Sequence, residues 1–237
     1  MMKKDIYQEL YDELIASNDV LGVLLVGKAA TTKLEDFDSL NDIDLIVLTA
    51  LGEKNKRVAK KVAGVDIDMS YLPVSFVKDC IKDNALLWIE IIASGKIVYS
   101  RGIDDLVERC KLIWATGTPE LTKIQKEYWS FYLTSSLEDI KNRLHNEALA
   151  KYLIGEFLSL VMRVEYKLNK NFIPLKKKRW IEQIKGMNVE IGELIDQILL
   201  SPTLKEQFEL TESLYRLIIM PLGGPVDTWS HEEFPEE

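Results

Sequence analysis

Asp42 and Asp44 stand two residues apart inside the otherwise apolar run Asp42–Thr49. Side chains in a strand alternate faces, so both carboxylates project from the same side. Aspartate is depleted in strands, and like charges in register repel. A divalent cation relieves that repulsion. Mg²⁺ has the right chemistry: it prefers oxygen and is usually held by one or two carboxylates together with substrate phosphates. Asp66 and Asp68 repeat the alternation in Val65–Leu72. If these two strands lie side by side, four carboxylates converge on one patch.

A second feature lies upstream. The apolar run Val20–Val26 reads as a buried strand and ends at Gly27. The sequence predicts a helix from about Lys28 or Ala29. Glycine lets backbone approach a ligand closely, and the amides at a helix N-terminus bind anions. Phosphate at Gly27 and a cation at Asp42 and Asp44 would together hold a nucleoside triphosphate.

Positioning these groups requires a sheet. A helix is expected over roughly 4–17, then the strands 20–26, 42–49 and 65–72, the last ended by Pro73. Residues 53–63 are basic, and within them Arg57–Ala63 read either as a helix or as the first arm of a hairpin turning at Gly64. Further expected elements are a helix over 74–94, a short strand at 96–99 and a helix near 103–115. Thr116, Gly117, Thr118 and Pro119 form a turn or linker. Beyond it only helical periods occur, at about 121–144, 148–168, 179–200 and 203–220. The tail after Pro225 is expected to be loose. The fold class is therefore α+β: a mixed sheet flanked by helices over 1–116, then an all-α helical bundle over 117–237.

The chain carries 38 acidic against 30 basic residues, a net charge of -8. That balance argues against a duplex nucleic-acid binder, which needs a basic footprint. It suits a cationic substrate better. Cys80 and Cys110 have neither metal-ligand nor disulfide-framework spacing, which points to a reducing compartment. No apolar run approaches the ~18 to 20 residues that cross a bilayer, and the start of the chain lacks a signal-peptide core. A cytoplasmic protein with no membrane partner is expected.

Gly27-Lys28, then Asp42-Ile43-Asp44, then Val65-Asp66-Ile67-Asp68-Met69 resembles the nucleotidyltransferase superfamily that includes DNA polymerase beta. The pattern there is a Gly-Ser turn, an Asp-x-Asp or Asp-x-Glu strand, and one later acid on a third strand. Asp68, followed by Met69, Ser70, Tyr71, Leu72 and Pro73, fits the third acid better than Asp66, which stays open as the runner-up. The helical second half resembles that of small bacterial members such as aminoglycoside and lincosamide nucleotidyltransferases. The specific part of the resemblance is residues 20–72. One departure is plain: Lys28 stands where the family has serine, so Lys28 or the Thr31 or Thr32 hydroxyl would have to meet the phosphates.

The resemblance implies transfer of a nucleoside monophosphate from a triphosphate, ATP first, to a hydroxyl of a small acceptor such as an aminoglycoside-like antibiotic. Asp42, Asp44 and Asp68 would be catalytic and would bind Mg²⁺; Gly27, Lys28 and Thr31 would line the nucleotide phosphates. The alternative is an antitoxin-like or regulatory protein of the same fold that acts on or binds a partner protein, with weak or no catalysis. A homodimer is left open.

Other chemistry-bearing residues have plainer readings. Glu156 and Arg163 share a helix face and read as an ion pair within the bundle before they read as lining a cleft. Lys176, Lys177, Lys178 and Arg179 read as a solvated turn, and His145 as a helix-surface residue. His231 sits in a polar tail. Trp88, Trp114, Trp129 and Trp180 read as packing anchors.

Overall fold

The computed structural model describes residues 2–52, 55–83, 85–174 and 176–230. The chain divides into two units, Met1–Thr116 and Gly117–Glu237. His231 and the rest of the tail beyond residue 230 lie outside the described residues.

The first unit is built on β1 (Val20–Val26), β2 (Asp42–Thr49), β3 (Lys56–Val62), β4 (Val65–Pro73) and β5 (Lys96–Ser100). They form one mixed sheet in the order β3-β4-β2-β1-β5. β2 and β4 run parallel, and the other neighbours are antiparallel. The central strands are apolar on both faces, as the continuous run in β1 requires. Val23, Leu25, Ile43, Leu45, Val47, Ile67 and Met69 pack with Ile6, Tyr7 and Leu10 of α1 (Lys3–Ile15). The opposite face sets Leu24, Val26, Ile46, Leu48 and Leu72 against three helices: α2 (Val74–Lys82), α3 (Leu86–Ala93) and α4 (Asp104–Thr116). The single helix expected over 74–94 is thus two helices.

The ambiguous basic segment resolves as β3, the first arm of a hairpin with β4. Ala63 and Gly64 have φ of 47° and 86°. Two positive φ values in a two-residue connection are the geometry that matches strand twist in a hairpin.

The second unit contains α5 (Lys123–Asn142), α6 (Glu147–Leu168), α7 (Trp180–Met187), α8 (Val189–Leu200) and α9 (Leu204–Ile219). Their shared core includes Trp129, Leu133, Phe157, Val161, Val164, Trp180, Ile184, Ile195 and Leu214. Four helix starts are capped by side chains. Thr122, Asn146, Asn188 and Thr203 accept from the amides of Gln125, Leu149, Ile191 and Glu206. The Asn188 cap overturns the single helix expected over 179–200, because it opens α8 directly after α7 ends. His145 lies in the turn between α5 and α6 rather than on a helix. No helix among the described residues is long and apolar enough to cross a membrane.

Two buried groups report on these cores. Burial pushes the Tyr7 phenol up to about 12, aided by its neighbour Tyr11. Tyr7 ordinarily ionises near 10, so the unfolded chain loses that proton first as pH rises. The stability contributed is complete below pH 10 and is lost as pH climbs through 12. Tyr7→Phe is expected to flatten the fall in stability between these values, read by urea denaturation across the series. In the helical unit, Glu165 is 4% exposed and accepts from Asn169 Nδ2 at 2.9 Å and Asn188 Nδ2 at 3.1 Å. Asn188→Ala removes both a helix cap and a donor to this buried carboxylate, and is expected to cost about 1–3 kcal/mol. Asn188→Asp keeps the cap but sets a second acid beside Glu165. It is expected to destabilise more than alanine does, the reverse of the usual capping order, and denaturant midpoints decide the point.

Candidate functional site

Register brings the acids together. Asp42 lies beside Asp66, and Asp44 beside Asp68, in the parallel β2/β4 pair. Neighbouring strands are about 4.8 Å apart, so the four carboxylates form two adjacent rows on one face. Further along the same face are Ile46, Leu48 and Leu72, which are fully covered. The cover ends before the acids: Asp42 and Asp66 are exposed, and Asp44 and Asp68 are half-buried. With Ala59, Lys60, Lys61 and Ile67 they line an open depression of about 350 Å³. Asp68 stands next to Asp44 and is the less exposed of the two later acids, whereas Asp66 is at the outer rim.

Gly27 reaches the same end of the sheet, because Val26, the last residue of β1, pairs with Asp44. Its φ is 64°, a region that residues with a Cβ avoid. The helix expected after it does not form. Lys28–Thr32 make a turn in which the Thr31 and Thr32 amides both donate to the Lys28 carbonyl at 3.2 Å. Both threonine hydroxyls donate to that carbonyl too, at 3.2 and 2.9 Å. Such local side-chain bonds compete with helix propagation. The turn leads only into a six-residue 3₁₀ helix, Leu34–Ser39. No helix N-terminus therefore faces the acids at Gly27; the turn offers the exposed Lys28 side chain and a tight glycine backbone.

The structure also places cations that sequence reasoning missed. Within the β3/β4 hairpin, Lys61 faces Asp66 and Ala59 faces Asp68, so Arg57, Ala59 and Lys61 share the acid face. Arg57 Nε donates to both oxygens of Asp68, at 2.9 and 3.2 Å, and its Nη2 donates to Oδ2. Lys61 Nζ lies 3.3 Å from Asp66 Oδ1. Hydrogen bonds from Arg57 to Asp68, then the charges of Asp68 and Asp44, hold the guanidinium protonated above its ordinary range. An external cation is thus not the sole relief for the crowded carboxylates. Part of it comes from the next strand. The signal in the sequence is two basic residues an even number apart, Arg57 and Lys61, and their shared face becomes readable only once the turn is fixed at Ala63-Gly64. Among the described residues, no group of three His, Cys, Asp or Glu side chains stands close enough to hold a metal ion.

The remaining candidates fall in the helical unit. Glu156 and Arg163 are not joined as an ion pair; both line a cavity of about 360 Å³ with Tyr132, Ser135, Ser159 and Lys177. Lys176, Lys177 and Lys178 are exposed, with the Lys177 amine over the Trp180 ring. Trp129 and Trp180 are buried, and Trp88 and Trp114 are half-buried. Cys80 and Cys110 are buried free thiols, the latter pushed up to about 11 by burial.

No family model matches the chain, and no curated protein matches it. Among solved structures it is similar to a nucleotidyltransferase-like protein from Exiguobacterium sibiricum. That likeness has 17% sequence identity and a TM-score of 0.47, and covers 92% of this chain and 74% of the other.

Proposed function

We propose that the first unit carries a metal-dependent nucleotidyltransferase site. It would move a nucleoside monophosphate from a triphosphate to a hydroxyl of a small acceptor and release pyrophosphate. One observation carries this reading: the β2/β4 register that seats Asp42, Asp44 and Asp68 on one open patch, with the Gly27 turn at the same sheet end.

The donor set is chemically suited to Mg²⁺, since it consists of carboxylate oxygens and one or two carboxylates suffice when phosphates complete the shell. Asp42 and Asp44 are the first pair to hold it, and Asp68 joins when it parts from Arg57. Held by these carboxylates, the ion would supply positive charge to offset the negative charge that develops during transfer. Released from Arg57, Asp68 would accept the proton of the acceptor hydroxyl. Gly27 lets phosphates approach the backbone, and Lys28 supplies a point charge where Thr31 orders the turn. ATP is the first triphosphate to test. The net charge of -8 favours a cationic acceptor such as an aminoglycoside, and the cysteine usage favours a cytoplasmic setting.

A second reading rests on the forked Arg57–Asp68 pair, which satisfies the third acid without any ion. It makes the chain a regulatory or antitoxin-like protein of this fold that binds a partner and catalyses weakly or not at all. MgATP separates the two, because a ligand of the native state raises the apparent melting temperature. The first reading expects such a rise, together with pyrophosphate release in a screen of aminoglycosides and lincosamides. Asp42→Asn and Asp44→Asn are each expected to cut turnover by about 10²–10³-fold, the scale of losing one fixed charge-stabilising group, with the far-UV circular dichroism unchanged. Full turnover in either variant overturns the assignment. Neither stabilisation nor pyrophosphate release would leave the second reading standing.

A further inference from the structure

We infer that Arg57 competes with a divalent cation for Asp68, and that this competition sets the cation affinity of the patch. The inference rests on the metal-binding reading of Asp42, Asp44 and Asp68 given above.

Three observations support it. First, the pairing is forked: Nε and Nη2 of Arg57 together engage both Asp68 oxygens. A carboxylate held through both oxygens has its strongest lone-pair directions taken by N–H donors. It cannot give those same directions to an ion until the guanidinium withdraws. Second, the pair is wet. The Arg57 side chain is 72% exposed and that of Asp68 31%. Exposed pairs hold weakly against water and salt, so this contact can open without unfolding anything. A buried pair would act as a strut instead. Third, Asp44 stands beside Asp68 in the β2/β4 register, so a guanidinium held on Asp68 is also close to Asp44. The guanidinium therefore sits in the field of two of the carboxylates that would bind the ion. A divalent charge arriving at Asp42 and Asp44 repels Arg57 while it attracts Asp68, so both effects work in one direction.

The released guanidinium has a matching destination. The planar donor fork that fits a carboxylate also fits a phosphate. Arg57 lies on the sheet face that would receive the triphosphate. Lys61 is the natural control, because it lies on the same strand and face but pairs with Asp66 through a single contact.

The experiment measures Mn²⁺ binding to the full chain without nucleotide, by the electron paramagnetic resonance signal of free Mn²⁺. Arg57→Gln is expected to tighten binding about 2–5-fold, the size an exposed ion pair implies. Lys61→Gln is expected to change it less. The decisive comparison uses Asp68→Asn: with that carboxylate neutralised, adding Arg57→Gln should give no further gain, because the two effects share one contact. Equal gains with and without Asp68 would show a general field effect and overturn the competition. So would unchanged or weaker binding in Arg57→Gln. Asp42→Asn tells the two failures apart. If it loses Mn²⁺ while Arg57→Gln changes nothing, the metal site stands and the competition falls. If Asp42→Asn binds Mn²⁺ like the unaltered chain, or the unaltered chain binds none even when a non-hydrolysable triphosphate is added, the metal reading falls and takes the competition with it.

Discussion

Two aspartates on each of two parallel neighbours, locked in register, are the constraint around which the first unit is arranged. Parallel pairing puts Asp42 against Asp66 and Asp44 against Asp68, and no side-chain rotation moves the backbones apart. What fixes that register is hydrophobic. Ile43, Ile67, Leu45 and Met69 fill one face, and Ile46, Leu48 and Leu72 the other. A slip of one residue in either strand would carry its acids into the apolar layer and bring isoleucine out to water. The core thus holds together charges that would otherwise separate.

Those charges are balanced locally rather than tolerated. The β3/β4 hairpin folds back so that Arg57 and Lys61 meet the outer row of acids. Both contacts are exposed, so they moderate the repulsion without contributing much to folding. The inner row, Asp42 and Asp44, belongs to β2 and pairs through its backbone with β1 and β4.

Much of this was legible beforehand. The apolar runs located β1 and β2, and the alternation in Val65–Leu72 put Asp66 and Asp68 on one face. The change from strand to helical periods after residue 116 likewise separated sheet from bundle. What escaped depended on local hydrogen bonds and on pairing partners. Thr31 and Thr32 spend their hydroxyls on the Lys28 carbonyl and so stop a helix that composition favours. Asn188 interrupts a continuous helical period because its side chain caps α8 and also reaches Glu165. Arg57 was invisible as a site residue because its importance comes from the strand opposite, and a strand's partner is not written in its own sequence. Glu156 and Arg163 share a helix face but stand seven residues apart, two turns, whereas side chains on one helix meet at three or four.

β3 is the outermost strand of the sheet, joined only to β4, and its burial is slight along its length. Its residues can be exchanged with little disturbance to the apolar layers. The balancing cations ride on this peripheral element, while the aspartates are anchored in the middle. Mutation can therefore retune the potential of the patch, sharpening or silencing it, while the framework that presents it stays intact.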